Sequence, residues 1–128
     1  MMNRLKVLID TNMFLVPGKY KVDIFNELKG LGKTEFYTLD SVVKELERLS
    51  ERDRSKDSRD AKLGLQLIEK YKVSILRTPK NTKHTDDAII KSAKGAAVCT
   101  QDKKLMLRLR REGTEIIYLR QKKYLDNK

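Results

Sequence analysis

Short apolar runs recur along the chain, and polar turns separate them from stretches in which apolar residues return at helical spacing. The apolar runs are nearly continuous, as expected where both faces of a parallel sheet are covered, and they predict strands at residues 5–9, 35–39, 73–76, 96–100 and 115–119. Helical spacing predicts helices at residues 21–31, 41–49, 63–71, 86–94 and 102–112. This alternation predicts an α/β fold: a single-domain three-layer sandwich with a mostly parallel central sheet flanked by helices.

Two segments have few apolar anchors. Residues 48–62 mix charges of both signs, which predicts a solvated helix end followed by a loop. Residues 121–128 are basic and polar. Because 128 residues suit one domain, we expect that domain to span residues 1–120 and a basic C-terminal tail to span residues 121–128.

The charge balance favours a polyanionic partner. The chain has 29 Lys and Arg against 18 Asp and Glu, a formal net charge of +11. Lys and Arg gain affinity by releasing counterions from phosphates, although a surplus that only aids solubility is the alternative.

The single cysteine and the N-terminal sequence indicate a cytoplasmic protein. Cys99 lies in an apolar run, which favours core packing over chemistry, and no intrachain disulfide can form. The first residues lack the apolar stretch of a secretory signal, and no segment has the roughly 20 apolar residues that span a bilayer. We therefore expect no membrane contact.

Acidic residues follow the ends of two predicted strands. Asp10 comes directly after KVLI, and Asp102 follows AAVCTQ. The carboxyl ends of parallel strands share one edge of the sheet, where ligands bind in open α/β folds. Glu45 in the second helix and Asp87 at the start of a later helix can point to the same edge. Read singly, Asp10 is an ordinary turn residue and Glu45 an ordinary solvent-facing one.

Four carboxylates at one edge imply a cation. They repel one another and take up protons unless a multivalent ion compensates them. Oxygen ligands of this kind suit Mg²⁺ or Mn²⁺, whereas one histidine, His84, and one cysteine make no zinc set. A metal held this way generates hydroxide and stabilises charge on a phosphate, so the pattern predicts phosphodiester hydrolysis.

The motifs VLIDTNMF, SVVKELERL, DDAIIKSA and VCTQDKKL occur in the order of the PIN-domain ribonuclease family, which the chain resembles over nearly its whole length. The resemblance is strongest to the archaeal and eukaryotic type of ribosome biogenesis. It implies four catalytic, metal-binding acids: Asp10, Glu45, Asp87 and Asp102. It also implies that Asn12 and Thr100 support them. Either Asp86 or Asp87 can be the third acid; DAIIKSA favours Asp87, with Asp86 as a neighbouring acid or helix-start charge.

Basic residues near the predicted site are candidates for contacts to RNA phosphates. They are Lys103, Lys104, Arg108, Arg110, Arg111, Arg120, Lys122 and Lys123. Tyr118 and Tyr124 are candidates for stacking on bases, although Tyr118 also suits strand packing. The resemblance implies a homodimer as the default state.

Three functions stay open at this point. The first is an endoribonuclease that processes ribosomal RNA, with a ribosome-assembly partner. The second is the toxin of a toxin–antitoxin pair, with an antitoxin partner. The third is an RNA-binding assembly factor with little activity. The number of metal ions, one or two, is also open.

Overall fold

The predicted apolar runs form the central sheet, and one further strand extends it. The computed structural model describes residues 5–52 and 55–128, and in these residues the sheet has six strands. They are β1 Lys6–Ile9, β2 Glu35–Leu39, β3 Ser74–Leu76, β4 Ala97–Cys99, β5 Ile116–Arg120 and β6 Tyr124–Asn127. Their order is β3-β2-β1-β4-β5-β6, and all neighbours are parallel except β5 and β6.

Helices connect and cover the strands. Those in the described residues are α1 Thr11–Tyr20, α2 Ile24–Gly30, α3 Asp40–Glu51, α4 Lys56–Lys70, α5 Thr85–Ser92 and α6 Lys103–Arg111. Helices α1, α3 and α4 pack against one another, and α5 contacts α6. The predicted α/β sandwich is therefore confirmed. None of these helices is both long enough and apolar enough to cross a bilayer.

Strand β1 lies at the centre of the sheet and positions the candidate site. Val7, Leu8 and Ile9 are each at most 1% exposed, because β2 and β4 flank the strand and helices cover it. The chain moves outward from β1 in one direction through β2 and β3, and in the other through β4 and β5. Such a reversal of strand order opens a crevice at the carboxyl ends of the strands, where ligands bind.

Helix α1 is an element that the sequence pattern did not predict. It contains Pro17 followed by Gly18, which usually mark a break in a helix. Its glycine allows a close approach to α4, because a Cβ at Gly18 would overlap the Asp60 carboxylate. On the facing helix, a Cβ at Gly64 would lie 2.7 Å from the carbonyl oxygen of Phe14. Both positions therefore need glycine for packing.

Residues 48–62, predicted to be a helix end followed by a loop, are largely helical where the structure describes them. Helix α3 continues to Glu51, and α4 begins at Lys56; residues 53 and 54 lie outside the described residues. The Ser55 hydroxyl accepts a hydrogen bond of 3.2 Å from the Ser58 amide, which caps α4. The prediction of a loop is wrong here because a serine cap starts the helix within the charged run.

The predicted tail is also wrong for most of its length. Tyr124–Asn127 pairs with β5 as an antiparallel strand, and Leu125 is only 4% exposed. The boundary placed at residue 120 therefore divides the β-hairpin that β5 and β6 form.

Candidate active site

Asp10 lies where β1 ends and α1 begins, and it is 6% exposed. Its Oδ1 accepts a hydrogen bond of 2.8 Å from the Thr11 amide, so Asp10 is the N-cap of α1. Its Oδ2 accepts a bond of 2.8 Å from the Thr100 hydroxyl and a longer one of 3.5 Å from the Asn12 amide group. Residues from two neighbouring strand ends therefore fix the orientation of this carboxylate.

Asp102 is connected to Asp10 through Thr100. The Thr100 hydroxyl oxygen accepts a hydrogen bond of 3.1 Å from the Asp102 amide while it donates to Asp10. Asp102 Oδ1 accepts bonds of 2.9 and 3.1 Å from the amides of Lys104 and Leu105, which makes Asp102 the N-cap of α6. Its Oδ2 accepts no hydrogen bond from the described residues, which leaves that oxygen available to water or a ligand.

These strand ends open into an acidic pocket of about 250 Å³. Its lining comprises four carboxylates and several polar and apolar neighbours: Asp10, Thr11, Asn12, Leu15, Glu45, Leu49, Thr85, Asp86 and Asp102. Helix α3 contributes Glu45, and the first turn of α5 contributes Asp86. We call this cavity the acidic pocket.

Two carboxyl groups of the acidic pocket, those of Asp10 and Asp86, have a raised pKa. Desolvation by burial raises the pKa of Asp10, against the lowering effect of hydrogen bonds from Thr100 and Thr11, and the charges of Asp86 and Asp102 add to the rise. Desolvation also raises the pKa of Asp86, and Asp102 raises it further. Burial is therefore the main cause of both raised pKa values, and the neighbouring negative charges add to it.

The structure corrects the placement of Asp87. Its Oδ1 forms an ion pair of 2.9 Å with Arg108 Nη2, and this contact holds the pKa of Asp87 below its ordinary value. Consecutive residues of an α-helix point about 100° apart, so the side chains of Asp86 and Asp87 leave α5 in different directions. Asp86 lines the acidic pocket, whereas Asp87 turns towards α6. The preference for Asp87 as the third acid of the cluster is not met by this geometry.

The donor atoms of the acidic pocket suit a hard divalent cation. All of its polar side chains offer an oxygen atom, and the Asn12 side chain carries a nitrogen atom as well. The Thr11 hydroxyl oxygen is buried there and has no hydrogen-bond partner among the described residues. Within residues 5–52 and 55–128, no three His, Cys, Asp or Glu side chains converge closely enough to enclose a metal directly. Mg²⁺ usually keeps several of its waters, so the arrangement fits an ion held partly through water.

The candidate RNA-binding cations are all on the surface. The structure exposes Lys103, Lys104, Arg108, Arg110, Arg111, Arg120, Lys122 and Lys123. Two of them have acidic partners: Arg108 pairs with Asp87, and Arg120 pairs with Asp126 at 2.9 Å. The others on α6 extend outward from the helix that Asp102 caps. A positive surface therefore begins immediately beside the acidic pocket.

Gln101 is a site residue that the sequence did not single out. The backbone N–H of Gln101 donates a hydrogen bond of 3.2 Å to Asn12 Oδ1. The side-chain oxygen of Gln101 accepts one of 2.6 Å from the backbone N–H of Leu119. Gln101 thus joins the acidic pocket to β5. The only signal in the sequence is a polar residue between the apolar run and Asp102. Cys99, in contrast, is fully buried, which confirms the prediction of core packing.

Comparisons with known proteins identify the family of this chain. A family model described as a PIN like domain matches residues 7–122. Ribonuclease VapC4 of Methanocaldococcus jannaschii is 30% identical, with 94% of this chain and 95% of the relative covered. Ribonuclease VapC9 of Archaeoglobus fulgidus is 28% identical over 90% of this chain and 83% of the relative.

Solved structures show the same architecture. The PIN domain endonuclease Utp24 superposes with a TM-score of 0.78 at 24% identity, over 96% of this chain and 90% of that one. A domain of a functionally unknown protein from Methanocaldococcus jannaschii gives a TM-score of 0.56 at 20% identity, over 90% of this chain and 91% of that one. Since the family model covers most of the sequence, this chain belongs to the PIN-like domain family.

Proposed function

We propose that this protein is a metal-dependent endoribonuclease that hydrolyses phosphodiester bonds of RNA in the acidic pocket. The observation that carries the proposal is the convergence of Asp10, Asp86 and Asp102 on one pocket, where burial raises the pKa of Asp10 and of Asp86 and the charge of Asp102 adds to both rises. A divalent cation removes that repulsion. The two relatives named as ribonucleases, at 28% and 30% identity, support RNA as the substrate.

In this proposal Asp10, Asp86, Asp102 and Glu45 hold Mg²⁺ or Mn²⁺ at least partly through bound water. The bound ion supplies a lowered pKa for water and stabilises charge on the attacked phosphate. Asp87, which the sequence motif favoured for this role, instead pairs with the exposed Arg108 of α6.

Groups beside the acids fix the orientation of Asp10 and offer a position for a water molecule. Thr100 and the Thr11 amide hold Asp10 in one rotamer, so the carboxylate loses little freedom on binding an ion. The Thr11 hydroxyl, buried and unpartnered among the described residues, is placed to bind a water molecule. Water is the nucleophile in this proposal, because a bound divalent cation lowers the pKa of water.

The positive charge outside the acidic pocket brings the RNA to it. Phosphates would be repelled by clustered carboxylates, and the net charge of +11 offsets that repulsion. Lys103 and Lys104 follow Asp102 on the exposed start of α6 and are the nearest candidates along the chain for contacting phosphates. Arg111, Arg120, Lys122 and Lys123 extend the positive surface.

We infer ribosomal precursor RNA as the substrate, from the motif set shared with PIN proteins of ribosome biogenesis. The alternative is a toxin that cuts transfer or messenger RNA. The similarity to the two relatives named VapC supports this alternative. A ribosome-assembly partner belongs to the first role and an antitoxin to the second. A homodimer is a prediction that size-exclusion chromatography with light scattering tests.

The deciding experiment maps the RNA ends that the protein creates. Total cellular RNA is incubated with the protein and Mn²⁺, beside the Asp10→Asn variant, and new 5′ ends are sequenced. We expect ends within ribosomal precursor RNA that are absent with Asp10→Asn. Ends in transfer or messenger RNA would favour the toxin role. Identical products from both proteins, or no products from either, would refute the enzyme proposal.

A further inference from the structure

A second cavity of about 440 Å³ lies between α6 and β5. Its apolar lining comes from Met106 and Leu107 of α6 and from Leu119 and Tyr118 of β5. Leu107 is 57% exposed, so the cavity is open to solvent along one side. Its volume falls in the range of small-ligand sites, roughly 300 to 1,000 Å³. We call it the side cavity.

Positive charge surrounds the apolar lining. Lys103, Arg110 and Lys128 line the side cavity, and none of the described residues that line it is acidic. Lys128 Nζ lies 4.6 Å from the centroid of the Tyr118 ring, so a cation already covers that aromatic face. An aromatic ring beside several cations has the chemistry that binds unpaired nucleotides, with the base stacked and the phosphates near Lys and Arg.

The side cavity is adjacent to the acidic pocket along the chain. Gln101 and Lys103 line the side cavity, and Asp102 between them lines the acidic pocket. Gln101 also bonds both to Asn12 in the acidic pocket and to Leu119 in the side cavity. A nucleotide in the side cavity would therefore lie close to the phosphate that is cut.

We propose that the side cavity binds one unpaired base of the RNA substrate, stacked on Tyr118, with the adjoining phosphates contacted by Lys103 and Arg110. This inference rests on the proposed function. On binding, the base replaces Lys128 over the Tyr118 ring. Stacking of a base on an aromatic ring exceeds a solvent-exposed cation–π contact, and the displaced ammonium group can then contact a phosphate.

Fluorescence anisotropy with a labelled single-stranded RNA of about ten nucleotides, within the range of known single-strand sites, measures this contact. EDTA in the buffer prevents metal-dependent cleavage. Tyr118→Leu removes the aromatic face but keeps an apolar side chain, and we expect about five- to hundredfold weaker binding. Tyr118→Phe keeps the face and should bind as the wild type does. Thermal melting of each variant checks that it is folded.

The dependence of binding on salt separates stacking from charge. Arg110→Ala should reduce the slope of log K against log salt by about one, whereas Tyr118→Leu should weaken binding without changing that slope. Lys91→Ala is the matched control, because Lys91 is an exposed cation on α5 that does not line the side cavity. It should bind with wild-type affinity.

Three results would overturn the inference: wild-type affinity of Tyr118→Leu, equal affinity for the same RNA in duplex form, or equal binding of an acidic peptide of the same length. The last result would identify the side cavity as a protein-docking site. The base of a duplex is already stacked and cannot enter the side cavity. Because binding is measured without divalent ions, failure here is distinguishable from failure of the nuclease proposal, which cleavage by wild type and Asp10→Asn tests separately.

Discussion

Asp86 and Asp87 are neighbours in sequence, but Asp86 lines the acidic pocket and Asp87 pairs with Arg108. Exchanging each for asparagine therefore tests which of the two acts in cleavage. Asp86→Asn removes a carboxylate from the acidic pocket. Asp87→Asn removes the partner of Arg108 outside it. The two variants have the same chemistry, the same helix and the same change in net charge. Any difference between them therefore reports where each side chain points.

The structure sets the magnitude of the two effects. Partners that only support metal ligands typically change metal affinity or activity by about 10- to 100-fold, so loss of a ligand at Asp86 should reduce cleavage by at least about 100-fold. The Asp87–Arg108 pair is exposed, with side chains 36% and 45% accessible, and solvent screens such pairs. Asp87→Asn should therefore reduce cleavage by less than about fivefold.

Single-turnover cleavage of a labelled RNA at a series of Mn²⁺ concentrations measures both effects. For Asp86→Asn, we expect the loss to shrink as Mn²⁺ rises, because a weakened site is partly refilled by mass action. Asp87→Asn should follow the wild-type Mn²⁺ curve. A larger loss in Asp87→Asn than in Asp86→Asn would contradict the assignment of Asp86 to the acidic pocket. It would identify Asp87 as the third acid, as the DAIIKSA motif suggested.

Two further predictions concern pH and packing. Because the pKa values of Asp10 and Asp86 are raised, protons should compete with Mn²⁺ above the ordinary aspartate range, and calorimetry at several pH values should show affinity falling as pH falls through those raised values. Without metal, the stability contributed by protonated Asp10 is present at acidic pH and lost as pH rises through its raised pKa. Asp10→Asn should therefore flatten the dependence of Tm on pH. An unchanged dependence would contradict this expectation. Gly64→Ala forces its Cβ to within 2.7 Å of the Phe14 carbonyl oxygen and should cost about 1–3 kcal/mol in denaturant unfolding. Gly30→Ala, with nothing within 4 Å, is the control and should be neutral or stabilise by up to about 1 kcal/mol; equal losses would refute the close packing of α1 and α4.

The sheet was predictable because its buried strands are continuous apolar runs, and the strand-end acids followed from it. Helix α1 was not predictable for a physical reason. Pro17 and Gly18 oppose helix formation locally, and the reason for a glycine appears only when α4 packs against it. Tertiary packing thus overrides a weak local preference in α1.

Strand β6 was missed because its turn has no sequence signal. Gln121 and Lys122 both have positive φ, 55° and 57°, in the turn between β5 and β6. Hairpin turns of this kind usually contain Asn or Gly, so a Gln-Lys pair does not indicate one. The sequence leaves the choice between Asp86 and Asp87 open for another reason: the direction of each side chain depends on where α5 begins, and pattern alone does not fix a helix start to one residue.

Calorimetric titration of Mn²⁺ into the metal-free protein measures whether the carboxylates of the acidic pocket share a divalent ion. We expect saturable binding by the wild type and equal binding by Glu47→Gln, whose exposed side chain lies on α3 outside the acidic pocket. Asp10→Asn should bind at least about 100-fold more weakly. Absence of saturable binding by the wild type, or undiminished binding by Asp10→Asn, would contradict the sharing of an ion in the acidic pocket.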